Sequence, residues 1–432
     1  MGKYGKRGKE SRQDWAEEAM IRQLTAGVDV DDLREGGLEE FARRGAKLLL
    51  EASMAAEVAE HLGRSAYERG GEDSGYRNGH RLRSLRCGSG PLELKMPKVT
   101  GAEGGFSLKT IPAYQRTSPE VDKVLPLLYA EGLSTRDFRR ALGKFWGESG
   151  LSRTSVSRAN KELYRQFEAW RRRDLSGVKV LYLFLDGYYE RVRFGSKGKE
   201  GILIAHAILE DGKRELLGVV LGPKESEDAW KGLLEDLNRR GLAAPRLAVI
   251  DGNGGLIKAL KTVWPKVLCQ RCTAHKTRNV LARVPSSHQA RVKKDLAAIF
   301  HATDFDSAVR AVNHFLAKYG EEFPTACETL ARDLNDCLTF YKLPEAHWKR
   351  IRTSNVLERA FKEVRRRTRV VEHFPNERSA LTLVWACLEQ ERMNWRGVKM
   401  SPKLIALVQT AQEELAKQPI SVKSALEYLK AS

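Results

Sequence analysis

Val178 to Asp186, VKVLYLFLD, is an almost unbroken run of apolar, β-branched and aromatic residues. It has no solvated face, so it reads as a strand buried on both sides. GILIAHAIL (201–209) and ELLGVVLG (215–222) are a second and a third strand, parted by a turn at Asp211-Gly212. ESEDAWKGLLEDLNRRGL follows as an amphipathic helix ending at Gly241. PRLAVID (245–251) is a fourth strand, GLIKALKTVW a helix and KVLC a short fifth strand. Three strands, helix, strand, helix, strand is an α/β order.

Two of these strands close on Asp-Gly, at Asp186-Gly187 and Asp251-Gly252. An Asp-Gly alone is usually a turn, but ligands of open α/β sheets gather at such strand ends. Adjacent parallel strands lie about 5 Å apart, so the two carboxylates can share a cation. A two-metal site for phosphodiester chemistry needs a third carboxylate, and Mg²⁺ prefers carboxylate oxygens. Glu358 and Glu363 are candidates on one helix, TSNVLERAFKEVRRRTR. Five residues apart, they point about 140° from one another, on either side of a stripe of Val356, Leu357, Phe361 and Val364. Periodicity does not choose between them, and either could be a surface Glu paired with an Arg one turn away.

The formal net charge of +19 and pI of about 9.6 point to a polyanionic partner, with nucleic acid the default. The 42% apolar and 30% charged content is that of a soluble globular chain. No apolar run is long enough to predict a membrane span, and the first residues lack the apolar core of a secretory signal. Six scattered cysteines suit a reducing compartment.

Residues 1–13, with five Lys or Arg and one Glu, read as a basic arm. Gly37 to Leu62 reads as a helix on Leu38, Phe41, Ala42, Ala46, Leu49 and Leu50, with Gly63 its stop. Turn signals follow at Asn78-Gly79 and at Gly88-Ser89-Gly90. Leu92, Leu94 and Met96 alternate with Glu93 and Lys95, as in a strand with one solvated face. Arg77, Arg81, Arg83 and Arg86 line either a phosphate-facing ribbon or a merely solvated hairpin. Residues 131–170 read as helix, turn (Gly147 to Ser152), helix. Such a motif presents the start of its second helix to the major groove; here those residues are Arg153, Ser155, Ser157 and Arg158. From Lys276 to about Arg350 only helical patterns occur, and the tail after Val398 reads as a terminal amphipathic helix.

CQRCTAH, Cys269 to His275, raises zinc and redox readings. Tetrahedral zinc needs a fourth ligand, and His288 is the nearest. A redox C-x-x-C wants a thioredoxin-like context. The favoured reading is that Cys272 and His275 open the helix after the fifth strand, while Cys269 is ordinary strand content.

GYRNGHR, the Asp186 strand, AWKGLLEDLNRRGL, VIDGNGGL, RCTAHKTRN, SNVLERAFKEVRRRTRVV and FPNERSA together carry a resemblance. Over roughly residues 40 to 400 the chain resembles the Mutator-type transposases of bacterial insertion sequences. The resemblance implies an α/β ribonuclease H-like catalytic core with an all-α insertion, preceded by a mainly helical N-terminal DNA-binding region. Its parts would be residues 1–13 (arm), 14–120 (helix and hairpin), 121–173 (helix-turn-helix-like), 174–275 (core), 276–350 (insertion), 351–398 (core) and 399–432 (tail). The family's DDE carboxylates fall on Asp186, Asp251 and Glu358, spaced by 65 and then 107 residues, which favours Glu358 over Glu363. They would hold two Mg²⁺ ions, with Mn²⁺ as substitute. The family's C-x-x-H falls on Cys272 and His275, and His275 would contact the scissile phosphate or orient a carboxylate. Trp230 would stack on a flipped base or pack in the core. Arg365, Arg366, Arg367 and Arg369 would neutralise phosphates.

The expected function is a DNA transposase. It would bind the terminal inverted repeats, cut a strand to expose a 3′-OH, and use that group to attack another phosphodiester. Its partners would be double-stranded DNA, both repeat and target, and further copies of the chain in a dimer or larger assembly. It would work in the bacterial cytoplasm at the nucleoid, with no membrane. The rival readings are a catalytically inactive, transposase-derived DNA-binding protein and a ribonuclease H-like nuclease.

Overall fold

The structure is a computed structural model in which residues 37–66, 68, 74–102, 105–130, 153–190, 200–222, 226–368, 374 and 376–431 are described. The basic arm, the first helix and turn of the helix-turn-helix reading, and Arg369 lie outside them. Two compact units result: Met1–Tyr129 with Leu133–Asn160, and Ala130–Gly132 with Lys161–Ser432.

In the first unit, helix α1 (Leu38–Leu62) lies on an antiparallel hairpin of β1 (Ser74–Cys87) and β2 (Gly90–Ala102), and α2 (Pro119–Ala130) follows. The alternation in β2 does what it promised: Leu92, Leu94 and Met96 are buried with Leu85, Ile111 and Met54 of α1. Glu93 and Lys95 face solvent. Leu49, expected on the buried stripe, is 56% exposed; the stripe runs instead through Leu50, Met54 and Val58. Gly63 stops α1 in the left-handed conformation (φ 62°), as expected of a residue without Cβ.

Asn78-Gly79 is not a turn. It sits inside β1, where the register slips between Arg77 and His80 and Gly79 takes φ 64°. This is a bulge, and the chain reverses only between Cys87 and Gly90. Asn-Gly favours positive φ, and a bulge uses that as readily as a hairpin does.

The second unit opens with α3 (Arg153–Arg172), whose first residues belong to the first unit. Its sheet comprises β3 (Val180–Glu190), β4 (Glu200–Leu209), β5 (Arg214–Gly222), β6 (Leu247–Ile250) and β7 (Leu268–Arg271), in the order β5-β4-β3-β6-β7. β3, β4 and β5 pair antiparallel, while β6 and β7 run parallel to β3. Helices α4 (Glu227–Arg239) and α5 (Gly254–Val263) connect β5 to β6 and β6 to β7.

Helices α6 (Thr273–Leu281), α7 (Gln289–Phe300), α8 (Phe305–Tyr319), α9 (Pro324–Ala331), α10 (Leu334–Cys337) and α11 (Glu345–Ile351) form the all-α block. Between α9 and α10 the helical pattern is interrupted at Asp333, which takes φ 60° and starts α10 afresh. Then come α12 (Asn355–Thr368), α13 (Glu377–Arg392), α14 (Pro402–Lys417) and α15 (Lys423–Ala431), so the tail holds two helices rather than one.

The unbroken apolar run of β3 has a direct explanation. Leu183 and Leu185 pack with α4 and α5 on one face. Leu181, Tyr182 and Phe184 pack with the all-α block and the tail helices on the other. A strand covered on both faces has no position where a polar side chain is cheap.

Candidate active site

Parallel pairing of β3 with β6 ends at Leu185 opposite Ile250. The next residue on each strand is an aspartate, Asp186 and Asp251, so adjacent strands set the two carboxylates side by side, about 5 Å apart in strand spacing. Asp186 does not close its strand as expected. β3 continues antiparallel to β4 as far as Glu190, and Tyr188 on this extension stacks on Phe361 of α12 at 4.7 Å. What ends at Asp186 is the pairing with the parallel neighbour.

Asp186 is 3% exposed. Its Oδ1 accepts the Gly187 N–H at 2.9 Å, while Oδ2 is buried with no hydrogen-bond partner. Burial pushes its carboxyl up to about 6, with Asp251 adding to the rise and His275 and Ser354 opposing it. An orphaned, buried carboxylate oxygen beside a second carboxylate is the donor chemistry that a hard divalent cation takes, so these residues fit such an ion.

Asp251 is set by its own loop. Its Oδ1 accepts the Asn253 N–H at 2.8 Å, and Asn253 Oδ1 in turn accepts the N–H groups of Gly255 and Leu256 to cap α5. Between them Gly252 takes φ 85°, and a Cβ there would fall 1.0 Å from Nη1 of Arg271. Arg271, at the end of β7, brings Nη1 up against this glycine and pairs with Asp333 at 3.5 Å. The Asp-Gly pattern marks the glycine but carries no trace of the arginine, 19 residues on, that requires it.

CQRCTAH forms the join between sheet and helical block. Cys269 is in β7, where burial raises its thiol to about 12. Cys272 caps α6, and its Sγ accepts the Ser354 N–H at 3.3 Å and the Ser354 hydroxyl at 3.5 Å. Beside it, the N–H and hydroxyl of Thr273 donate to the Arg352 carbonyl at 2.9 and 3.1 Å. The point where the chain leaves for the all-α block is thus tied to the point where it returns. His288, the distant zinc candidate, is engaged with Ser287 and lies 3.6 Å from Glu322.

His275, in the first turn of α6, has Nε2 3.7 Å from Glu358 Oε1, and Glu358 also accepts from Arg278. Burial disfavours the imidazolium, but Cys272 and Asp186 outweigh it and raise the group to about 9. The structure therefore gathers Asp186, Asp251, Cys272 and His275, with Glu358 reaching His275 from α12. Glu358 faces Arg278 and His275 rather than the two aspartates, and no group of three or more His, Cys, Asp or Glu among the described residues is arranged around a metal position. Glu363 is occupied by Arg366 at 2.9 Å and Arg367 at 3.7 Å.

Several expected DNA contacts fall elsewhere. Trp230 is fully buried among Leu233, Leu237 and Leu256, so its ring packs in the core and offers no face to a base. Arg367 is 4% exposed and faces Glu363 and Glu391, which removes it from any phosphate surface. Arg366 is exposed, and Arg365 lies over the Tyr188 ring with its Nε donating to the Tyr188 hydroxyl at 2.7 Å. Arg77 donates to the carbonyls of Arg64 and Ser65, where it holds the end of α1 rather than facing phosphate. Arg81 is exposed. The side chains of Arg153 and Arg158 lie outside the described residues.

A metal test follows from Asp186. Its folded pKa of about 6 exceeds the unfolded 3.8, so its contribution to stability falls as pH rises between the two values. A bound cation reverses that loss once the carboxyl is ionised. Mg²⁺ or Mn²⁺ at a hundredfold its Kd should stabilise the fold by about 2.7 kcal/mol. The rise in Tm should be larger above about pH 7 than below about pH 5. An equal rise at both would place the ion away from Asp186.

A family model described as "Transposase, Mutator family" matches residues 18–397. The chain is 35% identical to the transposase for insertion sequence element ISRM5 of Rhizobium meliloti (strain 1021), over 86% of this chain and 92% of that one. It is 37% identical to the transposase for IS6120 of Mycolicibacterium smegmatis, over 67% and 89%. It is 30% identical to the transposase for IS256 in transposon Tn4001 of Staphylococcus aureus, over 79% and 87%. No helix among the described residues is long and apolar enough to cross a membrane.

Proposed function

Because the chain belongs to the Mutator family of transposases, we propose that it binds the terminal inverted repeats of its insertion sequence, cuts a DNA strand there and joins the freed end to a second site. The catalytic part is the mixed sheet, read as a ribonuclease H-like core, and the residues before it hold the DNA ends. The observation that carries this reading is the end of the β3–β6 pairing. There Asp186, with its orphaned Oδ2, stands next to Asp251.

Asp186, Asp251 and Glu358 would hold two divalent cations, Mg²⁺ or its substitute Mn²⁺. Bound there, the ions would supply Lewis-acid stabilisation of the attacking and leaving oxygens. Glu358 completes the set by turning from Arg278, and Glu363 is the poorer third ligand because Arg366 and Arg367 already occupy it. The charged His275 beside Asp186 offers a hydrogen bond to a phosphate oxygen and balances the carboxylates.

In the first step a water oxygen attacks phosphorus and the P–O3′ bond breaks, leaving a 3′-OH and a 5′-phosphate. In the second, the 3′-OH oxygen attacks another phosphodiester. One P–O bond forms as one breaks, so no energy donor and no covalent enzyme intermediate are required. Two DNA ends must meet, which calls for a dimer or larger assembly on DNA.

The test is Mg²⁺-dependent strand cleavage on a DNA fragment carrying the gene's own flanks. Cleavage at one defined position that liberates a 3′-OH is expected. Tight binding with no cleavage under any divalent metal would instead mark an inactive DNA-binding descendant of the family, and cleavage without preference for the flanks a nuclease.

A further inference from the structure

We propose that the outer side of the N-terminal hairpin carries a duplex-DNA cleft in which Arg81 and Arg116 grip the phosphates flanking a groove while Tyr114 and Leu82 press into it. This rests on the DNA-binding role proposed for the region and gives that role a site.

The cleft has a volume of about 540 Å³ and is lined by Arg81, Leu82, Arg83, Arg86, Tyr114 and Arg116 with two small residues, and by no carboxylate among the described residues. The nearest acid by strand register is Glu93, opposite Ser84, and it does not line the cleft. Like charges crowd here: Arg83 is held below its ordinary pKa by burial and then by Arg81 and Arg116, and Arg86 by burial and then by Arg116. Arg81 and Arg116, both exposed on a cleft lined by no carboxylate among the described residues, suit a polyanion.

The apolar part is equally unusual. Tyr114 is 89% exposed and Leu82 is 69% exposed, both in the same cleft as the arginines. Tyr114 also takes φ 71°, a conformation that costs a side chain with a Cβ. The backbone on both sides of it is pinned. Arg83 donates to the carbonyls of Pro112 and Gln115, the Gln115 N–H donates to Pro112 at 3.2 Å, and the Arg86 N–H donates to the Arg116 carbonyl at 2.9 Å. The loop therefore holds a large ring out in water at a backbone cost that folding does not need, and strain of this kind collects at functional sites. Arginines on backbone phosphates with apolar side chains pressed into a groove are the recurring means of gripping and bending a duplex.

The test is fluorescence anisotropy of the full-length chain with a labelled duplex from the DNA flanking its gene, titrated with salt. Arg81→Gln with Arg116→Gln should weaken binding and lower the slope of log K against log salt by about two, one for each lost phosphate contact. Tyr114→Gly should weaken binding about tenfold at an unchanged slope while its Tm is equal to or above wild type, because glycine relieves the strained φ. Wild-type affinity and slope in the double arginine variant would overturn the proposal. So would loss of binding confined to the single strand of the same sequence, or a fallen Tm with normal binding in Tyr114→Gly. If those variants bind normally while wild type still cuts the flanking DNA, the cleft fails and the transposase reading stands. If wild type does not bind the duplex at all, both fail.

Discussion

Replacing Asp186 with asparagine should reduce strand cleavage by on the order of 10³-fold or more, equivalent to about 4 kcal/mol of transition-state stabilisation, without harming the fold. Asparagine keeps an oxygen to accept the Gly187 N–H, so β3 needs no rearrangement. What disappears is a charge whose carboxyl burial has pushed up to about 6, opposed only in part by His275 and Ser354. Near neutral pH and without metal, that charge opposes folding. Asp186→Asn should therefore show a Tm at or above wild type, normal DNA binding, no cleavage, and no further stabilisation on adding Mg²⁺. A structural aspartate would give the opposite pattern, with stability lost and cleavage falling only in proportion. Measuring Tm with and without Mg²⁺ alongside cleavage separates the two, and a less stable Asp186→Asn that still cuts DNA would remove Asp186 from the catalytic set.

Gly252→Ala is the second large effect. The new Cβ would lie 1.0 Å from Arg271 Nη1 and 2.0 Å from its Cζ, at a φ of 85°. Either the Asp251 loop or the Arg271 guanidinium must move. Arg271 has a side-chain exposure of 8% and its charge is set against Asp333, so displacing it strands a largely buried ion. Together with the left-handed backbone cost this should destabilise the protein by about 2–4 kcal/mol, read as a lower midpoint in urea. Cleavage should fall as well, because Asp251 and its hydrogen bond to Asn253 sit on the same loop. Removing the obstacle should restore part of both: Gly252→Ala with Arg271→Ala should be less damaged than the sum of the single changes. Additive losses would mean that the two residues are not in contact.

Much of the sheet was legible because burial on two faces leaves an uninterrupted apolar run that little else explains. The five strands, the intervening helices and the all-helical block lie close to where the patterns place them, and Gly63, Gly90 and Gly212 stand at element boundaries with positive φ, as their backbone freedom suggests. The misses share one cause. Asn78-Gly79 marks positive φ correctly, but a bulge and a hairpin both use it, and only the partner strand distinguishes them. Trp230 and Arg367 lie on amphipathic helices whose covered faces depend on what docks there, for Trp230 the sheet and α5, for Arg367 the next helix.

The residues of the candidate site show the same division more sharply. Sequence by itself determined that two aspartates each follow an apolar run, that a C-x-x-H begins the next helix, and that the chain is basic enough to suit a polyanion. Each of these is local, written in the order of side chains along one element. Only the tertiary structure decided that Asp186 and Asp251 are neighbours past the last parallel pair, that Arg271 lies on Gly252, and that Cys272 accepts from Ser354, 82 residues away. Local pattern is set by backbone geometry and by which faces must be dry. Contact across such distances is set by which surfaces fill one another's gaps, a property of the packed whole that no single stretch of residues contains.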